Sequence, residues 1–104
     1  MLRWPNRQPW EVSNSKRPTL TWESYARDIG NNIQRRRVER GYSQERVAYE
    51  ARLSRYTYQK LEKGESRPGD PANPRLQTLL AIAQVLEIEL TDLLPATAPD
   101  LAAR

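Results

Sequence analysis

The chain has 104 residues, with 17 Lys and Arg against 13 Asp and Glu, no cysteine and no histidine. This excludes disulfides, Cys/His zinc sites and histidine-dependent acid-base or nucleophilic chemistry, and the length fits one domain. The basic excess is uneven, because residues 27–75 hold twelve Lys or Arg against seven acids while residues 76–104 hold one against four. A positive field in the middle of the chain is what phosphate binding requires, though a solvated basic surface would show the same count.

Residues 1–20 contain Pro5, Pro9 and Pro18 among polar residues and no sustained period, so they read as an extended N-terminal arm. Thr21 is placed to cap a first helix from about Trp22 to Glu39, with Trp22, Tyr25, Ala26, Ile29 and Ile33 facing inward and Gly41 ending it. Ser43 and Ser54 then stand as hydroxyl caps before two short amphipathic segments, and Gly64 stands where the second would end. Apolar residues at 47, 48 and 51, and again at 53, 58 and 61, follow the helical rather than the alternating period. Neither segment is long enough to be stable alone.

Residues 65–72 read as a loop from their proline and glycine content. Asn73 is expected to cap a fourth helix with Pro74 at its first position, burying Leu76, Leu79, Leu80, Ala83 and Leu86. A fifth, short helix is expected at about Glu89 to Leu94, ended by Pro95, and residues 96–104 read as a frayed tail. The longest apolar run, Leu79 to Ala83, is far too short to cross a bilayer, and the first residues lack the apolar stretch of a signal peptide. A cytoplasmic protein with no membrane association is expected. Carboxylates such as Glu45, Glu50 and Glu62 show no paired catalytic spacing, and no glycine-rich phosphate loop is present, so neither an enzyme nor a cofactor is expected.

On a helical wheel with Tyr58 pointing inward, Leu61 and Glu62 fall beside it, whereas Tyr56, Gln59, Lys60 and Lys63 fall opposite. Arg55 sits at the helix start. Arg37 extends the inward line of Ile29 and Ile33 by a turn, so Arg37 and Glu62 are two opposite charges aimed at one core and are expected to pair. Lys63 and Arg67 lie just past the helix and Arg75 at the start of the next, positions suited to clamping phosphates.

From residue 25 to 94 the chain resembles the phage repressor and Cro type of helix-turn-helix protein, also called XRE-like. The resemblance is carried by Ile29-x3-Ile33-x3-Arg37, Gly41-Tyr42-Ser43-Gln44-Glu45-x-Val47-Ala48, Leu53-Ser54, Tyr58-x2-Leu61-Glu62-x-Gly64 and Leu79-x2-Ile82-Ala83-x2-Leu86-x-Ile88-x4-Leu93-Leu94. The whole series in order is far more specific than any one segment. Arg52 stands where the family's turn usually has a glycine at positive φ, a cost of about 1 kcal/mol, and Glu87 replaces another common glycine.

The resemblance implies an all-α fold: a compact five-helix, repressor-like DNA-binding domain over residues 21–95, with the extended N-terminal arm at 1–20 and the tail at 96–104. It implies that the helix at 54–63 enters the major groove of double-stranded DNA. Carried over residue by residue, base reading falls to Arg55, Tyr56 and Lys60, flanked by Thr57 and Gln59. Phosphate contact falls to Gln44, Ser54, Lys63, Arg67 and Arg75. Arg37 and Glu62 match a structural bridge between the first and third helices. Apolar crowding at Ile88, Leu90, Leu93 and Leu94, a region through which family members often dimerise, suggests a homodimer. The expected function is sequence-specific transcriptional regulation, as a repressor on a two-fold operator. The alternative is an antitoxin or adaptor on the same fold that grips a protein partner with the arm, through Trp4 and Trp10.

Overall fold

Thr21 initiates the first helix, α1 (Trp22–Arg40), because its hydroxyl accepts the Ser24 N–H at 3.0 Å while the Ser24 hydroxyl accepts the Thr21 N–H at 3.3 Å. The computed structural model describes residues 20–102. The arm, with Trp4 and Trp10, and the last two tail residues lie outside them. Gly41, at φ 74°, closes α1 in the left-handed region, and its N–H reaches the Val38 carbonyl. The inward stripe of α1 is Ala26, Ile29, Gly30 and Ile33. Trp22 lies at the margin, where its indole N–H donates to the Ala72 carbonyl at 2.9 Å.

Ser43 and Ser54 cap α2 (Gln44–Glu50) and α3 (Arg55–Lys63), each accepting the backbone N–H three residues on at 3.0 Å. Between them Arg52 adopts φ 61°, the left-handed turn expected at this position. Gly64, at φ 76°, ends α3, and an added Cβ there would lie 2.6 Å from the Arg27 Cα, so glycine is needed for conformation and for space.

The expected loop after α3 is instead an antiparallel hairpin of β1 (Glu65–Arg67) and β2 (Asp70–Pro71). Pro68 and Gly69 lie at its tip with Gly69 at φ 87°, which suits the central positions of a type II turn. Strands this short show no alternation by which the sequence could announce them.

The fourth helix, α4 (Leu76–Leu86), starts later than expected: Arg75 keeps extended geometry (φ −69°, ψ 149°) at the cap position, so Asn73 is not the cap. Its buried face is Leu79, Ile82, Ala83 and Leu86, whereas Leu76 and Leu80 are 62% and 39% exposed, correcting the expected stripe. The expected fifth helix is a single 3-10 turn, Leu90–Asp92, too short for an α-helix between the left-handed Glu87 and Pro95. The described residues therefore form four α-helices, a two-stranded hairpin and a 3-10 turn, not five helices. The core gathers Ile33, Val47, Tyr58, Ile82, Leu86 and Leu93, all fully buried. Leu93 is further held by the Asn32 amide, which donates to its carbonyl at 3.0 Å. Among the described residues no helix is long and apolar enough to cross a membrane.

Candidate nucleic-acid interface

The two helices of the motif are joined by more than packing. Glu62, on the buried side of α3, accepts from Arg37 Nε at 2.6 Å and Arg37 Nη2 at 3.3 Å, from the Tyr58 hydroxyl at 2.6 Å and from Gln44 Nε2 at 2.8 Å. Arg37 also donates to the Tyr42 carbonyl at 2.9 Å, tying α1 to the start of α2. Burial alone would raise the Glu62 carboxyl, but the hydrogen bonds from Arg37, Tyr58 and Gln44 outweigh it and hold the carboxyl below its ordinary range. Tyr58 moves the other way: burial, reinforced by the hydrogen bond to the Glu62 carboxylate, pushes its hydroxyl well above the ordinary phenol value. The hydrogen bond to Glu62 likewise raises Arg37. At neutral pH the cluster is one cation, one anion and one neutral phenol.

From this buried cluster the connection runs outward. The Gln44 carbonyl oxygen accepts Gln59 Nε2 at 3.1 Å, so the first residue of α2 braces the middle of α3. Because Glu62 is acceptor-only, it fixes which end of the Gln44 amide faces α3. The second Gln44 N–H has no hydrogen-bond partner among the described residues.

On α3 itself Arg55, Tyr56 and Thr57 are exposed in the first turn, Gln59 and Lys60 are half-buried in the second, and Lys63 is exposed at the end. Lys60 Nζ lies 4.5 Å from the Tyr56 ring centroid, a cation–π contact. Arg55 Nε lies 3.1 Å from Glu45 Oε2, a partner to which the sequence assigned no role. Ser54 serves first as the cap: its hydroxyl accepts the Thr57 N–H and spends its one proton on Thr57 Oγ1 at 2.9 Å. To donate to a phosphate it would have to release Thr57.

Arg67 and Arg75 lie apart from this cluster. Arg67 pairs across the hairpin tip with Asp70 at 2.6 Å, and both side chains are exposed. Arg75 is exposed at the α4 N-terminus, where no side chain caps the free backbone N–H groups. The structure thus joins Gln44 to Gln59 and Arg55 to Glu45, and leaves Arg67 and Arg75 as separate charges. The roles of the Tyr58 hydroxyl and Glu45 are those the sequence reading missed. Tyr58 and Glu62 are four residues apart on one helix, a spacing that announces such a bond; Glu45 and Arg55 lie on different helices, and no local spacing signals their meeting.

Of the expected dimer residues, Leu93 is fully buried within the protomer and is not available to a partner. Ile88, Leu90 and Leu94 are half-buried and pack against the same core.

The fold has counterparts among known proteins. The family model described as a helix-turn-helix domain matches residues 28–95. No curated protein matches the sequence. Among solved structures, the restriction-modification controller protein C.AhdI from Aeromonas hydrophila is 27% identical, with a TM-score of 0.60 over 67% of this chain and 97% of that one. SinR, a master regulator for biofilm formation solved in complex with DNA, is 28% identical, with a TM-score of 0.53 over 62% of this chain and 95% of that one. A hypothetical transcription factor from Neisseria, NHTF, at 22% identity and a TM-score of 0.60 over 76% of this chain and 84% of that one, shares the fold. With the family model spanning well over half the sequence, the chain belongs to the helix-turn-helix domain family, and its motif series is of the phage repressor and Cro (XRE-like) type.

Proposed function

We propose that this chain binds double-stranded DNA sequence-specifically as a transcriptional regulator, acting as a repressor, with α3 in the major groove. The observation that carries the reading is the outward face of α3: Arg55, Tyr56, Thr57, Gln59 and Lys60 project from a helix anchored through Gln44 and Glu62. Arg55 and Lys60 suit guanine O6 and N7, Gln59 suits adenine, and Tyr56 offers a flat surface to a thymine methyl. Gln44, Lys63, Arg67 and Arg75 would hold the flanking phosphates, with Ser54 contributing chiefly as the helix cap. Residues 21–95 act as the DNA-binding unit, flanked by the arm at 1–20 and the tail at 96–104.

Two protomers on a two-fold site would meet through Ile88, Leu90 and Leu94, spacing two α3 helices by about 34 Å, one turn of DNA. Arg55→Ala tests the groove reading. It should weaken binding to the preferred duplex by about 1 to 3 kcal/mol and relax preference at one base pair, whereas Lys63→Ala should weaken all duplexes alike. Equal losses for Arg55→Ala on preferred and random DNA would count against base reading.

A protein partner is the second reading, favoured by the SinR–SinI complex, whose SinR resembles this chain at 28% identity with a TM-score of 0.55. An antitoxin or adaptor of that kind would hold its partner at high salt, where DNA binding by phosphate contact fades.

A further inference from the structure

Beside the outward face of α3 lies an acid that phosphate binding alone would disfavour. Glu45, in the first turn of α2, is 57% exposed at its side chain and lies against Arg55, the first residue of α3, itself 63% exposed. We propose that Glu45 is a specificity-determining residue: it positions Arg55 for a base and sets a negative charge against its capture by the phosphate backbone. The inference rests on the proposed reading of the groove by α3.

Three physical points carry it. First, an arginine at a helix N-terminus faces the positive end of the helix dipole, and a long exposed side chain there has no preferred direction of its own. Glu45 supplies one, because Arg55 Nε lies 3.1 Å from Glu45 Oε2 and the two residues sit on helices fixed to each other by the Gln44 brace. Second, the closest approach is made through Nε, and among the described residues Arg55 forms an ion pair with no residue other than Glu45. The terminal pair of N–H groups is the edge of a guanidinium that matches guanine O6 and N7. Third, a carboxylate close to the DNA backbone is repelled by it, so Glu45 weakens binding wherever Arg55 gains nothing from a base. The same residue therefore lowers affinity for random sequence and sharpens preference at one base pair.

Glu45 also favours its own helix by lying at the α2 N-terminus, a role that would exist without DNA. The experiment separates the two. The full chain, Glu45→Gln, Arg55→Ala and the double variant are titrated against the preferred duplex, found by selection from a random pool, and against duplexes changed at one base pair each.

Glu45→Gln should bind random duplex about two- to fivefold more tightly at low salt, since one repulsive charge has gone. Its discrimination should fall about three- to tenfold at the base pair that Arg55→Ala also relaxes and hold elsewhere, part of what a bidentate arginine–guanine contact supplies. In the Arg55→Ala background, Glu45→Gln should no longer change discrimination at all. Equal tightening of Glu45→Gln on every duplex would overturn the proposal and leave Glu45 a surface charge. So would an unchanged loss of discrimination in the Arg55→Ala background. A wild-type chain that binds every duplex alike would overturn the groove reading itself, and the proposal with it.

Discussion

Glu62 shows how much one buried carboxylate can organise. With its side chain 4% exposed, it receives hydrogen bonds from three side chains on three different helices: Arg37, Gln44 and Tyr58. Glu62→Ala would leave the Arg37 guanidinium and the Tyr58 hydroxyl without their acceptor, and should destabilise the fold by about 3 to 5 kcal/mol in urea unfolding. A loss under about 1 kcal/mol would mean that water replaces the carboxylate freely. The pH dependence has a definite sign. The folded-state pKa of Glu62 lies below its ordinary value of 4.5, so the folded protein holds the proton less readily than the unfolded chain. Its stabilising contribution is thus fully present above that ordinary value and is lost as pH falls through the lower folded one. The stability gap between wild type and Glu62→Gln should accordingly narrow as pH falls below the ordinary value of 4.5 and through the lower folded one. A gap that widened on acidification would contradict the hydrogen-bonded carboxylate.

At the scale of elements, what was legible is what is decided locally. Thr21, Ser43 and Ser54 cap helices because a hydroxyl meets a backbone N–H three residues away, and Gly41 and Gly64 end helices because the chain there turns left-handed. The ends of the hairpin and of the 3-10 turn are, in addition, tied to α1 by contacts distant in sequence. The Ala72 carbonyl is held by Trp22 and the Leu93 carbonyl by Asn32, neither of which any short window contains. The buried side of α4 was ambiguous for another reason: leucines at 76, 79, 80 and 86 satisfy the helical period on overlapping faces, and packing selected Ile82 over Leu80. The outward side of α3 followed from the wheel, and the base-reading proposal from the family resemblance, but the brace from Glu62 through Gln44 to Gln59 links two helices and needed the fold. Two element-level predictions follow from backbone geometry. Arg52→Gly should stabilise the domain by about 1 kcal/mol in thermal or urea unfolding, because φ 61° there strains any residue with a Cβ. Gly30→Ala should act oppositely, since its Cβ would lie 2.5 Å from the Leu61 and Glu62 carbonyl oxygens where α1 crosses α3. Overpacking of this kind costs about 1 to 3 kcal/mol, and an alanine tolerated without loss would mean that α1 and α3 can separate cheaply.

For the whole molecule the open quantity is how many protomers act together, and two measurements bear on it from different sides. Leu90 is half-buried against the protomer core, so Leu90→Glu should lower cooperativity on a palindromic duplex while circular dichroism reports whether the helices remain. A monomer by light scattering, free and on DNA at saturating protein, would defeat the dimer and leave base reading by a single α3 intact. Salt dependence counts charges instead of chains. Lys63, Arg67 and Arg75 are the cations assigned to phosphates, but Arg67 is already paired with Asp70 at 2.6 Å and neutralises a phosphate only by leaving it. Two to three effective contacts per protomer give a slope of log binding constant against log salt of about −2 to −3 for one protomer and about −4 to −5 for two. Arg67→Ala should reduce that slope by about 1 per protomer if the hairpin opens its ion pair on DNA, and leave it unchanged if the pair persists. Asp70→Asn separates these cases, since freeing Arg67 should steepen the slope only where the hairpin reaches the backbone. An unchanged slope in both variants would remove Arg67 from the DNA contact and leave Lys63 and Arg75 as the clamp.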